Sequence, residues 1–249
     1  MIGVATGVLS AAFGVGGAVI STPAIRLLGA SALVAVGTTL PSILPSAATG
    51  TRRYSRAGLI QWRVVAWATP AGFVAAVGGS LLSEVVPGDG HWLMIFTAAL
   101  LGFTSVRMAR PRDLAARAED EPARDRPTVL AAVGALAGLM SGLLGIGGGT
   151  VMVPGFTELA GLPVKTAIAT SLACVGIFAV PSTVTHALLG DIDWRFALLL
   201  TLGVVPGARL GAALAIRATD RRMRVAVAAF LGFVAVLYAA GEIAALVNA

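Results

Sequence analysis

Apolar residues run along this chain in long blocks separated by short polar stretches. The blocks are Ile60 to Leu82, His91 to Met108, Val129 to Gly161, Thr166 to Leu189, Trp194 to Ile216 and Val225 to Val247. A run of about 20 apolar residues wound as α-helix reaches about 30 Å, the thickness of a bilayer's hydrocarbon layer. The pattern therefore predicts an all-α integral membrane protein. Two apolar stretches are interrupted in the same way. Gly138-Leu139-Met140-Ser141-Gly142-Leu143-Leu144-Gly145-Ile146-Gly147-Gly148-Gly149, closed by Pro154, echoes Gly7-Val8-Leu9-Ser10-Ala11-Ala12-Phe13-Gly14-Val15-Gly16-Gly17, closed by Pro23. An internal repeat whose copies are broken at the same place points to a duplicated transporter with a binding site made of broken helices.

The correspondence continues when the second half is moved back by about 130 residues. Gly37-Thr38-Thr39-Leu40 falls on Ala169-Thr170-Ser171-Leu172, Gly58 and Trp62 on Gly190 and Trp194, and Gly79 on Gly211. Residues 1–108 and 128–249 then form two repeats of four apolar segments each. Residues 109–127 form a polar linker, rich in arginine, acidic residues and proline, expected to be cytoplasmic and mobile.

Charge decides how these segments cross. If all four segments of a half cross the bilayer, the loop with Arg217, Arg221, Arg222 and Arg224 falls outside and Asp191 and Asp193 inside, against the positive-inside bias. If the first segment of each half is instead a re-entrant hairpin, Arg52, Arg53, Arg56, Arg63 and the linker lie inside. Glu84, Asp89, Asp191 and Asp193 then lie outside, as do both termini. Helical stretches of about fifteen residues before Gly147 and about twelve after it, roughly 22 and 18 Å, suit half-helices. The expected architecture is two inverted repeats, each a glycine-broken hairpin plus three transmembrane helices. Eight full spans with parallel repeats are the alternative.

Composition narrows function. The 249 residues are 57% hydrophobic and 12% charged, far from a soluble domain's share of about a quarter charged. The net charge of +6 comes from arginines between the apolar runs, which fits topology rather than nucleic-acid binding. A single cysteine, Cys174, allows neither a disulfide framework nor a thiolate metal cluster. The apolar amino terminus has no basic leader and is expected to be retained. With two histidines, no HExxH and no paired intramembrane carboxylates, no enzyme, metal or cofactor is expected.

The candidate chemistry is anion binding. Gly3, Gly7, Gly134, Gly138, Gly142, Gly203, Gly207 and Gly211, at four-residue spacings, are expected to pack helices closely. Gly14, Gly16, Gly17, Gly145, Gly147, Gly148 and Gly149 favour unwound backbone whose free amides, at the positive end of the next half-helix, bind an anion. The spacing matches neither a P-loop nor a dinucleotide fingerprint. Thr38, Thr39, Thr170 and Ser171 either add hydroxyl donors or bond their own helix backbone. Arg209, between Gly207 and Gly211, is an intramembrane cation, which marks a site or snorkels to the interface. His186, aligned with Tyr54, reads as a hydrogen-bonded anchor. Trp62, Trp92, Trp194 and Tyr238 read as interfacial belt residues.

At the two glycine-proline motifs, at Gly37 to Leu40 and Ala169 to Leu172, and at Gly190-Asp191-Ile192-Asp193-Trp194, the chain resembles the sulfite exporter TauE/SafE family, also called the toluene sulfonate uptake permease family. The resemblance covers nearly the whole chain. The second half matches better, because Ala18 stands in the first where Gly149 stands in the second, and Pro41 and Pro45 interrupt the first half's second segment. The resemblance implies a multi-pass plasma-membrane permease for sulfite, a sulfonate or a related oxyanion. Joined to the residue reading, it gives export by alternating access around the two glycine turns. An anion channel, or a scaffold or accessory subunit of a sulfur-metabolism complex, are the alternatives.

Overall fold

The computed structural model describes residues 1–85, 91–109 and 126–247, which form ten α-helices and, among the described residues, no strand. The helices are α1 (Ile2–Phe13), α2 (Ala18–Leu27), α3 (Ala32–Arg56), α4 (Trp62–Ser83), α5 (His91–Ala109), α6 (Pro127–Leu144), α7 (Gly149–Glu158), α8 (Val164–Leu189), α9 (Trp194–Arg217) and α10 (Asp220–Val247). Nearly all of the linker expected at 109–127 lies outside the described residues, as does Asp89.

Local chemistry sets the boundaries. Ser31 accepts from the N–H of Val34 and starts α3, and Asp193 accepts from the N–H groups of Arg195 and Phe196 and starts α9. Pro127 opens α6, where a missing N–H costs nothing. α10 begins at Asp220, five residues before the apolar run at Val225. Its first turn carries an acid favoured by the helix dipole, and the arginines that follow are good helix formers.

Both glycine motifs break their helices, at 14–17 and 145–148. α1, with 12 residues, and α2 and α7, with 10 each, rise about 18 and 15 Å, too short to cross a bilayer. α6 departs from the half-helix expectation: its 18 residues, counted from Pro127, rise about 27 Å. Six described helices are long and apolar enough to cross a membrane: α3, α4, α6, α8, α9 and α10.

α3 and α8 pack together at the centre. Within their most apolar 18-residue windows, 61% and 72% of positions are buried, against 39% for α4, α9 and α10. The outer helices expose Phe73, Val74, Leu198, Leu202, Phe233 and Val236, an apolar surface suited to lipid rather than water. α1 lies along α9, α6 along α4, and α5 along α10.

The first two pairings depend on the absence of side chains. A Cβ on Gly3 would stand 2.8 Å from the carbonyl oxygen of Leu200, and one on Gly203 would stand 2.9 Å from Gly3 backbone. On the other side, a Cβ on Gly72 would lie 2.7 Å from the carbonyl oxygen of Gly134, while Gly138 abuts the carbonyl of Gly72. These are the close backbone approaches that the four-residue spacing predicts. Trp62, Trp92 and Trp194 are exposed near helix starts, as interfacial residues should be, whereas Tyr238 is buried in α10 and is not a belt residue.

Candidate functional site

The two broken-helix turns meet in the core. Gly16 and Gly147 both take positive φ, 85° and 81°, and a Cβ on either would lie 3.2 Å from the other's Cα. Val175 of α8 closes over both turns, 2.9 and 3.1 Å from those same Cβ positions. Only glycine satisfies both the left-handed backbone and this contact.

Breaking the helices leaves polar backbone inside the protein. All residues from 145 to 150 are buried. Val151 and Met152 already donate to the carbonyl of Gly148, but the amide N–H groups of Gly147, Gly148, Gly149 and Thr150 find no acceptor among the described residues. Thr150 Oγ1 and Ser141 Oγ are likewise buried without a partner. A buried donor without a partner costs about 1–3 kcal/mol, so a cluster at a helix N-terminus reads as a place for a negatively charged guest. The first turn is less rich. Val19 stands where the second half has Thr150, and Ser10 is satisfied by Ser46 at 3.0 Å. Thr150 escaped the sequence reading because a lone threonine after a glycine run carries no motif. Its place in the first turn of the helix after the break is the signal that would have found it.

The four hydroxyl residues are engaged in different ways, and only Ser171 contacts a turn directly. Thr38 Oγ1 accepts from the backbone N–H of Asp193, at 2.9 Å, and Thr170 Oγ1 from that of Gln61, at 3.1 Å. These are matching contacts at the loops that start α9 and α4, and each hydroxyl keeps its proton to donate. Thr39 donates to Val36 O within its own helix, at 2.9 Å, and lies 3.4 Å from Thr22. Ser171 donates across the molecule to the carbonyl of Gly14, at 2.9 Å, and so ties α8 directly to the first turn.

Arg209 stands apart from this group. Gly207 and Gly211 face α1, and Arg209, two residues from each on a helix, lies on the exposed opposite face. Near the far end of α7, Glu158 is almost wholly buried and paired with Arg107 of α5, whose guanidinium also stacks over Phe103. The carboxylate is thereby committed to an ion pair. Cys174 is buried, in keeping with a packing role. No group of three or more His, Cys, Asp or Glu able to hold a metal occurs among the described residues.

The broken ends of α1 and α6 are capped alike. The Tyr54 hydroxyl donates to Ala11 O at 2.6 Å, and His186 Nε2 bonds Gly142 O at 3.2 Å. His186 is fully buried and its Nδ1 lies 2.8 Å from Asp191. The reading of His186 as a hydrogen-bonded anchor agrees with these contacts, although it caps a helix in the interior.

Comparison with known proteins supplies the context. The family described as Sulfite exporter TauE/SafE matches residues 1–238. A probable membrane transporter protein of Xylella fastidiosa (strain 9a5c) is 30% identical over 220 residues, covering 87% of this chain and 82% of its own. The probable membrane transporter protein YunE of Bacillus subtilis (strain 168) is 26% identical, covering 86% of each chain. One from Methanocaldococcus jannaschii is 22% identical over 93% of this chain and 91% of its own. No solved structure matches the chain.

Proposed function

The chain belongs to the sulfite exporter TauE/SafE family and is a multi-pass membrane transporter, and from that premise we propose that it exports a small oxyanion, sulfite or an organosulfonate, across the plasma membrane. The anion binds at the broken-helix turns. Gly14, Gly16 and Gly17 contribute on one side and Gly145, Gly147, Gly148 and Gly149 on the other, with Thr38, Thr39, Thr170 and Ser171 beside them. Thr150 joins this group as a direct donor. Arg209 acts at most as a distant counter-charge from the outer face of α9.

The observation that carries this reading is the cluster of buried amide N–H groups at 147–150 together with the unpartnered Thr150 hydroxyl. A negatively charged guest satisfies donors that the protein leaves open. The Gly16–Gly147 contact corresponds to a closed state in a cycle of alternating access, and the turns separate to admit the anion. The membrane potential by itself can drive export. Moving one negative charge outward is favoured by about 2.3 kcal/mol per 100 mV of inside-negative potential, roughly a fifty-fold concentration ratio.

The repeats span 1–108 and 128–249, joined by a cytoplasmic linker at 109–127, and they are inverted. The matched caps from Tyr54 and His186, the matched contacts of Thr38 and Thr170, and the paired packing of α1 on α9 and α6 on α4 support a duplication. Short α1, α2 and α7 support re-entrant hairpins.

Ligand-dependent thermal unfolding of the purified protein tests the binding site. Sulfite at a hundred times its dissociation constant adds about 2.7 kcal/mol of stability. The expected result is a rise in Tm with sulfite that is reduced in Thr150→Val. A rise of equal size in both proteins would place the anion elsewhere.

A further inference from the structure

His186 and Asp191 make a contact that only a proton explains. Nε2 of the buried ring faces Gly142 O, and a carbonyl only accepts, so Nε2 carries a hydrogen. Nδ1 lies 2.8 Å from Asp191 Oδ2, and one proton must sit between them. Either the ring is an imidazolium beside a carboxylate, or a neutral ring accepts from a protonated Asp191. In both cases the pair holds one proton more than a neutral imidazole with a free carboxylate.

Solvent reaches the pair at Asp191, whose side chain is partly exposed, and Glu84, exposed just past the end of α4, lies near it. The Glu84 carboxyl is held above the ordinary range by partial desolvation, then by the charge and hydrogen bond of Asp191, with His186 pulling the other way. Among the described residues, the helices packed against the ring place no further charge beside it. α1 and α6 carry no ionisable side chain. Arg63 of α4 sits at the helix end opposite Glu84, and Tyr54, Arg52, Arg53 and Arg56 occupy the last turns of α3. Lys165 lies at the far end of α8, near Asp220 of α10, whose arginines Arg221, Arg222 and Arg224 follow it, and Glu158 of α7 is paired with Arg107. Asp193 accepts from the N–H groups of Arg195 and Phe196.

The first half has the same cap without the chemistry. Tyr54 offers a single hydroxyl proton to Ala11 O, and Leu59, Gln61 and Ile216 stand where Asp191, Asp193 and Glu84 would have counterparts. The asymmetry gives the second half alone a titratable latch. Asp191 is also packed on α3, since a Cβ on Gly37 would lie 2.6 Å from its backbone oxygen, and the next loop amide but one binds Thr38. The loop at 190–193 thus connects the broken end of α6, through His186, to the hydroxyl-bearing stretch of α3.

We propose that His186 and Asp191 form a proton-binding site that latches the broken end of α6, so that anion transport is coupled to proton binding and release. The coupling rests on the anion-transport reading; the proton site itself does not. A proton enters the His186–Asp191 pair from solvent at the partly exposed Asp191 carboxyl and returns by the same route, with no other bond made or broken. Loss of the proton leaves the ring one N–H for two acceptors, so either Gly142 O or Asp191 is released and α6 is free to move relative to α3.

The test uses two measurements on the full chain in nanodiscs and proteoliposomes. In the His91→Gln protein His186 is the one remaining histidine, and nitrogen-15 NMR reads its ring between about pH 5 and 9. The expected result is a protonation change that is shifted or lost in Asp191→Asn. A ring that stays one neutral tautomer throughout, or a titration unchanged in Asp191→Asn, overturns the site. In the second measurement, sulfite-driven proton movement is followed with a trapped pH dye, sulfite's own buffering being common to all proteins. The movement is expected to fall to the sulfite background in Asp191→Asn. Sulfite flux with the same proton movement in wild type and Asp191→Asn overturns the coupling while leaving transport standing. Absence of sulfite flux counts against the anion reading, and the ring titration decides the proton site on its own.

Discussion

Thr150 and Thr38 are both fully buried threonines, yet they differ in what their oxygens already touch. Thr38 Oγ1 holds the loop at Asp193, while Thr150 Oγ1 is buried and unpartnered. Thr150→Val keeps shape and removes only the donor. Losing a hydrogen bond to a charged substrate costs about 1.5–3 kcal/mol, so sulfite flux is expected to fall roughly 10- to 150-fold at unchanged protein abundance. Arg209→Gln, on the exposed face of α9, is expected to change flux far less, as the same assay reads. Glu84 gives a pH-dependent expectation. Its folded-state carboxyl is raised, so its contribution to stability is full below the ordinary carboxylate value, about 4.3, and is lost as pH rises through the folded value. Wild type should therefore lose stability relative to Glu84→Gln across that window, measured by thermal unfolding at stepped pH. An identical pH profile in the two proteins would show that the Glu84 carboxyl is not raised in the folded protein.

The helices differ in how plainly the sequence announced them. The breaks at 14–17 and 145–148 were legible because adjacent glycines followed by proline have few other uses inside an apolar run. The small-residue packing of α1 on α9 and α6 on α4 was legible for a similar reason: glycines four apart share one helix face. The full length of α6 was not, because the pattern shows where a helix breaks but not that Pro127 lets it start early. Tyr238 was misplaced because an aromatic near a segment end looks alike whether it faces lipid headgroups or a neighbouring helix. The turn-to-turn contact at Gly16 and Gly147, and the orphaned donors beside it, depend on distant segments meeting and leave no local trace. Packing at the glycine seams gives a sharp expectation. Gly138→Ala forces its Cβ onto the Gly72 carbonyl and should destabilise by about 1–3 kcal/mol, whereas Gly78→Ala, with open space around its Cβ, should be near neutral. Denaturation of the two variants in the same detergent separates them.

Across the whole molecule, the two halves share a pattern of contacts but not their chemistry. One cap is a tyrosine and the other a histidine beside an acid; one turn is followed by valine and the other by threonine. If the repeats are inverted, as proposed, the loop after α9 lies on the cytoplasmic side. A cysteine at Ala218, with Cys174 buried and silent, should react with an impermeant reagent only from inside; labelling from outside would favour eight spans and parallel repeats. The most direct test of the central claim is flux of labelled sulfite, sulfoacetate and taurine in proteoliposomes under an imposed potential of either sign. The account predicts saturable movement of at least one of these anions, driven toward the positive side. Movement that fails to saturate, or no movement of any of the three, would contradict it.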